Sequence, residues 1–140
     1  VYHSPKGYRV AVPGPDWQVI ESRRADLELR HRTAPAGILV NAACQPETVR
    51  RSFEVLQLQL LAGLRDREVK EQNEVTLGTR SALRTLLEGR MDGEPGRLEV
   101  ESYVVKGDRC VYDLLYVAPP DVFEAGRADI RRIVDSLEAG

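Results

Sequence analysis

The alternation of apolar and polar residues is clearest in the C-terminal third of the chain. Leu98–Lys106 and Arg109–Val117 read as two strands closing on a tight Gly107–Asp108 turn, after which Ala118-Pro119-Pro120 stops the second strand. A helical pattern follows, with Val122, Phe123, Gly126, Ile130, Ile133, Val134 and Leu137 on one side. Glu124, Arg127, Arg131 and Asp135 are expected to face outward, and Asp121 is placed to cap or complement the helix start.

Upstream, Tyr8, Val10 and Val12 alternate with Arg9 and Ala11, a first strand stopped by Pro13-Gly14-Pro15. Trp17–Ser22 reads as an edge segment, and Leu27 and Leu29 alternating with Glu28 and Arg30 mark a half-exposed strand. His31–Gly37 supplies a hairpin connection. Ile38, Val40, Ala42 and Cys44 share one side of the next strand, while Leu39, Asn41 and Ala43 take the other. Nearly all are small or apolar, as in a central strand covered on both faces.

Pro46 and Glu47 open a helix expected over Glu47–Leu64, because Val49, Phe53, Leu56, Leu60 and Leu64 recur at spacings of three and four. The charged run Arg65–Glu68 leads to a strand through Val69, Val75 and Leu77, broken at Gly78. Ser81–Gly89 is strand-like, and Asp92-Gly93-Glu94-Pro95-Gly96 turns the chain into the final strand pair. The order implies an α+β fold: an antiparallel sheet of about six to seven strands flanked by two helices. Without repeats or a dividing linker, residues 1–140 read as a single domain.

Composition narrows the function classes. At 140 residues, with 42% hydrophobic and 30% charged positions, the chain is neither disordered nor membrane-spanning in character. The longest uncharged stretch, Thr33–Pro46, is too short and polar to cross a bilayer. A net charge of −2, with both signs interspersed, argues against nucleic acid as a partner. The chain begins at Val1 and its only methionine is Met91, which is expected either of a removed signal peptide or trimmed membrane-proximal linker or of a truncated cytosolic protein.

The candidate chemistry is sparse. Cys44 and Cys110, both near predicted strand ends, either bridge neighbouring strands in an oxidising compartment or lie buried as thiols, and the sequence leaves both open. His3 and His31 are the only histidines and have no metal-ligand spacing with cysteine or carboxylate. No nucleophile elbow and no glycine-rich phosphate loop occurs, so no catalytic residue, cofactor or metal site is assigned. Glu99 and Glu101 alternate with Leu98 and Val100 as on a solvated sheet face, while Asp113 between apolar neighbours is the carboxylate to check for burial and an arginine partner. Trp17 reads as either a core residue or, with nearby Arg23 and Arg24, a partner contact. Tyr103, Tyr112 and Tyr116 lie on facing strands and are expected to cluster.

The segment Tyr8-Arg9-Val10-Ala11-Val12-Pro13 followed by Trp17 resembles the opening of the PsbP-like domains, a superfamily that takes in the extrinsic PsbP subunit of photosystem II and a Ran-binding import factor. Glu74–Gly78 with Ser81–Arg84, Tyr103–Lys106, Val111–Tyr116 with Ala118–Asp121, and the ending Ile133–Leu137 resemble that family in order along the chain. The usual glycine before the tryptophan is Asp16, and no extended N-terminal docking arm is marked. The resemblance implies a PsbP-like α/β/α sandwich and a non-catalytic accessory or binding domain of a bacterial envelope lipoprotein. Such a protein would be periplasmic or in the outer envelope, attached to membrane only through an upstream lipid anchor, and would act on an unidentified protein partner. The alternative expectation is a small-ligand carrier or enzyme with a pocket between the sheet and helix 47–64.

Overall fold

Strands Leu98–Lys106 and Val111–Ala118 pair in antiparallel register from Glu99↔Ala118 to Lys106↔Val111 and occupy the interior of a seven-stranded sheet. In this computed structural model, which describes residues 1–139, the elements in chain order are β1 (Tyr2–His3), β2 (Tyr8–Val10), β3 (Trp17–Ile20), β4 (Leu27–His31), β5 (Gly37–Ala43), α1 (Pro46–Val49), α2 (Phe53–Leu60), β6 (Leu64–Leu77), β7 (Arg80–Met91), β8 (Leu98–Lys106), β9 (Val111–Ala118), α3 (Pro120–Ser136) and β10 (Glu138–Ala139). The large sheet has the order β3-β4-β5-β9-β8-β7-β6, every pairing antiparallel. The expected α+β architecture is therefore observed. A small three-stranded sheet, β1-β2-β10, is additional; short exposed pairings of two or three residues leave little periodic signal.

Helix α3 crosses one face. Phe123, Ile130, Ile133 and Val134 pack onto Ile38, Val40, Leu114 and Tyr116 in the main core. Trp17 belongs to this core: it is 4% exposed and its indole N–H donates to Asp129 Oδ2 at 2.9 Å, so it seals the sheet end against α3 and is not available as a surface anchor. The aromatic cluster takes a different membership from the expected one. Tyr112 packs edge-on to Tyr8, and Tyr116 lies between Trp17 and Phe123, while the Tyr103 hydroxyl turns away to Glu101.

The helix expected over 47–64 is broken. Ser52 adopts an extended backbone conformation and its Oγ accepts from Val55 N at 3.3 Å, capping α2 and ending the four-residue α1 before it. Leu64 is drawn instead into β6, opposite Met91, where it packs with Leu61, Leu87 and Val100. Helical spacing over Val49–Leu64 thus spans three separate elements that all face the same side of the sheet.

A second correction concerns β8. Glu101 is 0% exposed and Glu99 9%: α3 lies over the face that alternation alone marks as solvated and pairs Arg127 with Glu101, and Lys70 of β6 reaches Glu99 at 2.9 Å. Arg127 and Arg131, expected to point outward, reach back to Glu101. Along the far edge, β6 is exposed from Arg65 to Glu74, carries charges of both signs and is kinked by two register shifts, features that discourage pairing with another chain.

Candidate functional site

On the face opposite α3, Leu56 of α2 covers Val104 and Val111, and Leu61 covers Leu87 and Val100. Here Gln57 Oε1 accepts from Thr85 Oγ1 at 3.1 Å and from Gln72 Nε2 at 2.8 Å, so the helix is tied to the sheet by a polar network as well as by apolar contact. The expected pocket between the sheet and helix 47–64 is not among the cavities described below, neither of which is lined by a residue of that segment.

A trough of about 400 Å³ runs across the sheet where α2 stops short. Leu39 of β5, Leu115 and Val117 of β9 and Leu98 of β8 supply its floor, with Gly37 opening space and Met91 at one end. These positions are brought together by register: Leu39 faces Leu115 and Gly37 faces Val117 across the β5–β9 ladder. The other end is charged. Arg24 Nε and Nη2 approach the two carboxylate oxygens of Glu28 at 3.2 and 2.8 Å, and Arg30 Nη2 stands at 3.9 Å. Glu28 is 5% exposed, and the Arg24 hydrogen bonds hold its carboxyl below the usual carboxylate range. An apolar floor with oriented charge at one end binds and positions a partner group; it does not by itself transfer protons or electrons.

The other residues singled out by sequence fall elsewhere. Arg24 lines the trough, whereas Arg23 is exposed on the preceding loop and Trp17 is on the opposite face of the sheet, so the three do not form one surface. His3 is in β1, and His31 Nδ1 accepts from the N–H groups of Thr33 and Ala34, fixing the β4–β5 turn. Among the described residues no group of three His, Cys, Asp or Glu side chains is arranged to hold a metal. Cys44 and Cys110 are joined in a disulfide one step beyond the Ala43↔Val111 pair, closing the end of the β5–β9 ladder.

Asp113 lies on the α2 side between Asn41 and Val104 in register. It has no arginine partner, and its Oδ1 is buried without a hydrogen bond among the described residues, as is Ser102 Oγ. Burial pushes its carboxyl up to about 7. Sequence reading missed Leu39, Leu115 and Glu28 as site residues. The first two look like any core position until the ladder register and the short reach of α2 are known, and Glu28 looks solvated until Arg24 folds over it.

No family model and no curated protein matches the sequence. Solved structures share its fold. Cyanobacterial PsbP (CyanoP) of Synechocystis sp. PCC 6803 superposes with a TM-score of 0.68 at 10% identity, covering 99% of this chain and 91% of that one. A protein of Bacteroides thetaiotaomicron gives 0.70 at 13% identity over 99% of this chain, which matches only 47% of the longer protein. LpqN of Mycobacterium tuberculosis, described as involved in cell envelope biogenesis, gives 0.59 at 19% identity, covering 95% of this chain and 84% of that one.

Proposed function

We propose that this chain, whose fold is the PsbP-like fold, is a non-catalytic accessory domain that works in a bacterial cell envelope by binding another molecule. The observation that carries the reading is the trough beside α2, a concave apolar floor of Leu39, Leu98, Leu115 and Val117 ending at the Arg24–Glu28 pair. Its lining brings no nucleophile within reach of a base, and the one histidine at its rim is engaged by backbone N–H groups. The likeness to LpqN supports an envelope setting, and the Cys44–Cys110 bridge suits an oxidising compartment. No helix among the described residues is long and apolar enough to cross a membrane, so attachment would need a separate anchor.

The partner we propose is a protein, met through the trough rather than through Trp17. The volume also favours a second reading, a carrier of one small ligand, because about 400 Å³ falls within the usual range of small-molecule sites. Fractionation of the full-length product tests the setting: recovery with the envelope supports it, and a wholly cytosolic product overturns it. A photo-crosslinking residue at Leu115 tests the occupant. A discrete protein adduct that disappears in L39R favours the accessory role, whereas a small co-purifying molecule lost in L39R favours the carrier.

A further inference from the structure

A second cavity, of about 330 Å³, lies on the opposite face of the sheet between the end of α3 and the β6–β7 turn, and it shares no residue with the trough. Leu77, Val105, Val134 and Leu137 give it an apolar lining, and Arg80 and Asp135 bring it one charge of each sign. Neither charge is used by the fold in an ion pair among the described residues. Arg80 is half-buried, yet its only hydrogen bond among the described residues is a long one, 3.4 Å from Nη1 to the Leu137 carbonyl, out of the five that a guanidinium can donate. Asp135 sits in the last turn of α3, where the carbonyl ends of the helix already concentrate negative charge, and no basic residue is present there to offset it. A carboxylate in that position opposes its own helix.

We propose that this cavity binds a small zwitterion, an α-amino acid with an aliphatic side chain. The ligand carboxylate would take the unused donors of Arg80, and its ammonium group would lie at Asp135 and the α3 terminus, relieving the unfavourable charge there. The aliphatic side chain would cover Val105 and Val134. A tight turn makes the geometry possible: Gly78, with φ of +64°, reverses the chain at once, so Arg80 opens β7 at the cavity rim.

Calorimetric titration of the full chain with L-leucine tests this, with L-leucinamide (no carboxylate) and N-acetyl-L-leucine (no ammonium) as half-charged probes. Saturable binding of L-leucine is expected, weakened roughly tenfold or more for each half-charged probe. R80Q should erase the preference for L-leucine over L-leucinamide, and D135N the preference over N-acetyl-L-leucine. Both variants alter solvent-accessible side chains, and unchanged thermal unfolding would verify their fold. The proposal is overturned by no saturable binding of L-leucine at millimolar concentration, by equal binding of the half-charged probes, or by binding that neither substitution changes. Variants in the trough, such as L39R, should leave this binding intact, so its failure is separable from failure of the accessory role.

Discussion

Arg127 Nε donates to Glu101 Oε1 at 2.9 Å, an ion pair that ties the middle of α3 to the centre of β8 with the carboxylate wholly out of solvent. Tyr103 Oη donates to Oε2 at 2.6 Å, and Arg84 and Arg131 stand at 3.6 and 3.8 Å. A buried charge persists only when surrounded in this way, because an unpaired one costs several kcal/mol. Its burial beside Glu101 also lifts the Tyr103 hydroxyl to about 12, which keeps it a donor at any physiological pH. Removal of the carboxylate in E101A leaves Arg84 and Arg127 with only their exposed carboxylate partners Glu71 and Glu124 and takes the acceptor from the Tyr103 hydroxyl, and a loss of about 2–4 kcal/mol in urea unfolding is expected. R127A should cost less, since Arg84 and Tyr103 still hold Glu101. In E101A/R127A the combined loss should fall short of the sum by about 1–3 kcal/mol, the mark of direct coupling.

That cluster also shows where sequence reading reaches its limit. Strand existence and order follow from the period-two runs and their turns, and α3 from its apolar stripe, because each is a local signal that the final packing obeys. Glu101 obeys the same alternation yet is buried, since burial depends on which face α3 chooses to cover. Alternation reports that two faces differ; it does not report which one is dry. The trough is invisible for a related reason: Leu39 and Leu115 are ordinary apolar strand residues, and only the ladder register that sets them side by side shows that they share a floor.

Gly126 and Tyr116 depend on close approach rather than charge. A Cβ at position 126 would lie 2.3 Å from Tyr116 Oη and 2.7 Å from Cζ, and that hydroxyl, donating to the Phe123 carbonyl at 2.7 Å, has no room to retreat. Alanine gains about 1 kcal/mol in helix propensity over glycine, so G126A would stabilise a free helix. In this protein the overlap should win, with a net loss of about 1–3 kcal/mol by thermal unfolding. Y116F/G126A should recover part of that loss by removing the closest atom, and an unchanged or more stable G126A would show that α3 can lift away at no cost.

The Cys44–Cys110 bridge closes a loop with a sequence separation of 66, the longest constraint that acts on the unfolded chain. Chain-entropy reasoning gives it about 4 kcal/mol. The C44S/C110S variant should therefore unfold at markedly lower urea concentration than the oxidised protein, and reductant should bring the native chain down to the variant's midpoint. Reductant should leave the variant itself unmoved. Intact mass before and after alkylation without reductant checks the premise, since no free thiol should be available to label.

Asp113 gives the protein a pH dependence with a defined sign. Its carboxyl, raised by burial to about 7 in the folded state, titrates near 4 in an unfolded chain, so between those values the folded form holds the proton that the unfolded form has lost. Folding therefore binds a proton in that window, and this contribution makes stability fall as pH rises from about 4 to about 7, then level off. By pH 8 the deficit is on the order of 4 kcal/mol, about 1.4 kcal/mol for each unit of displacement. Glu28 and Glu88, both held below the usual range by basic neighbours, act in the opposite sense, gaining stability as pH rises from the acid side. The comparison must accordingly be between two chains and not along one. D113N, neutral throughout, should match the native protein near pH 4 and exceed it increasingly up to about pH 7, with the gap constant above that. Paired urea titrations across pH 4–8 measure it; a gap that is flat with pH, or that favours the native chain at pH 8, would mean that the ionised Asp113 finds compensation beneath α2 that Asn41 and Val104 do not provide.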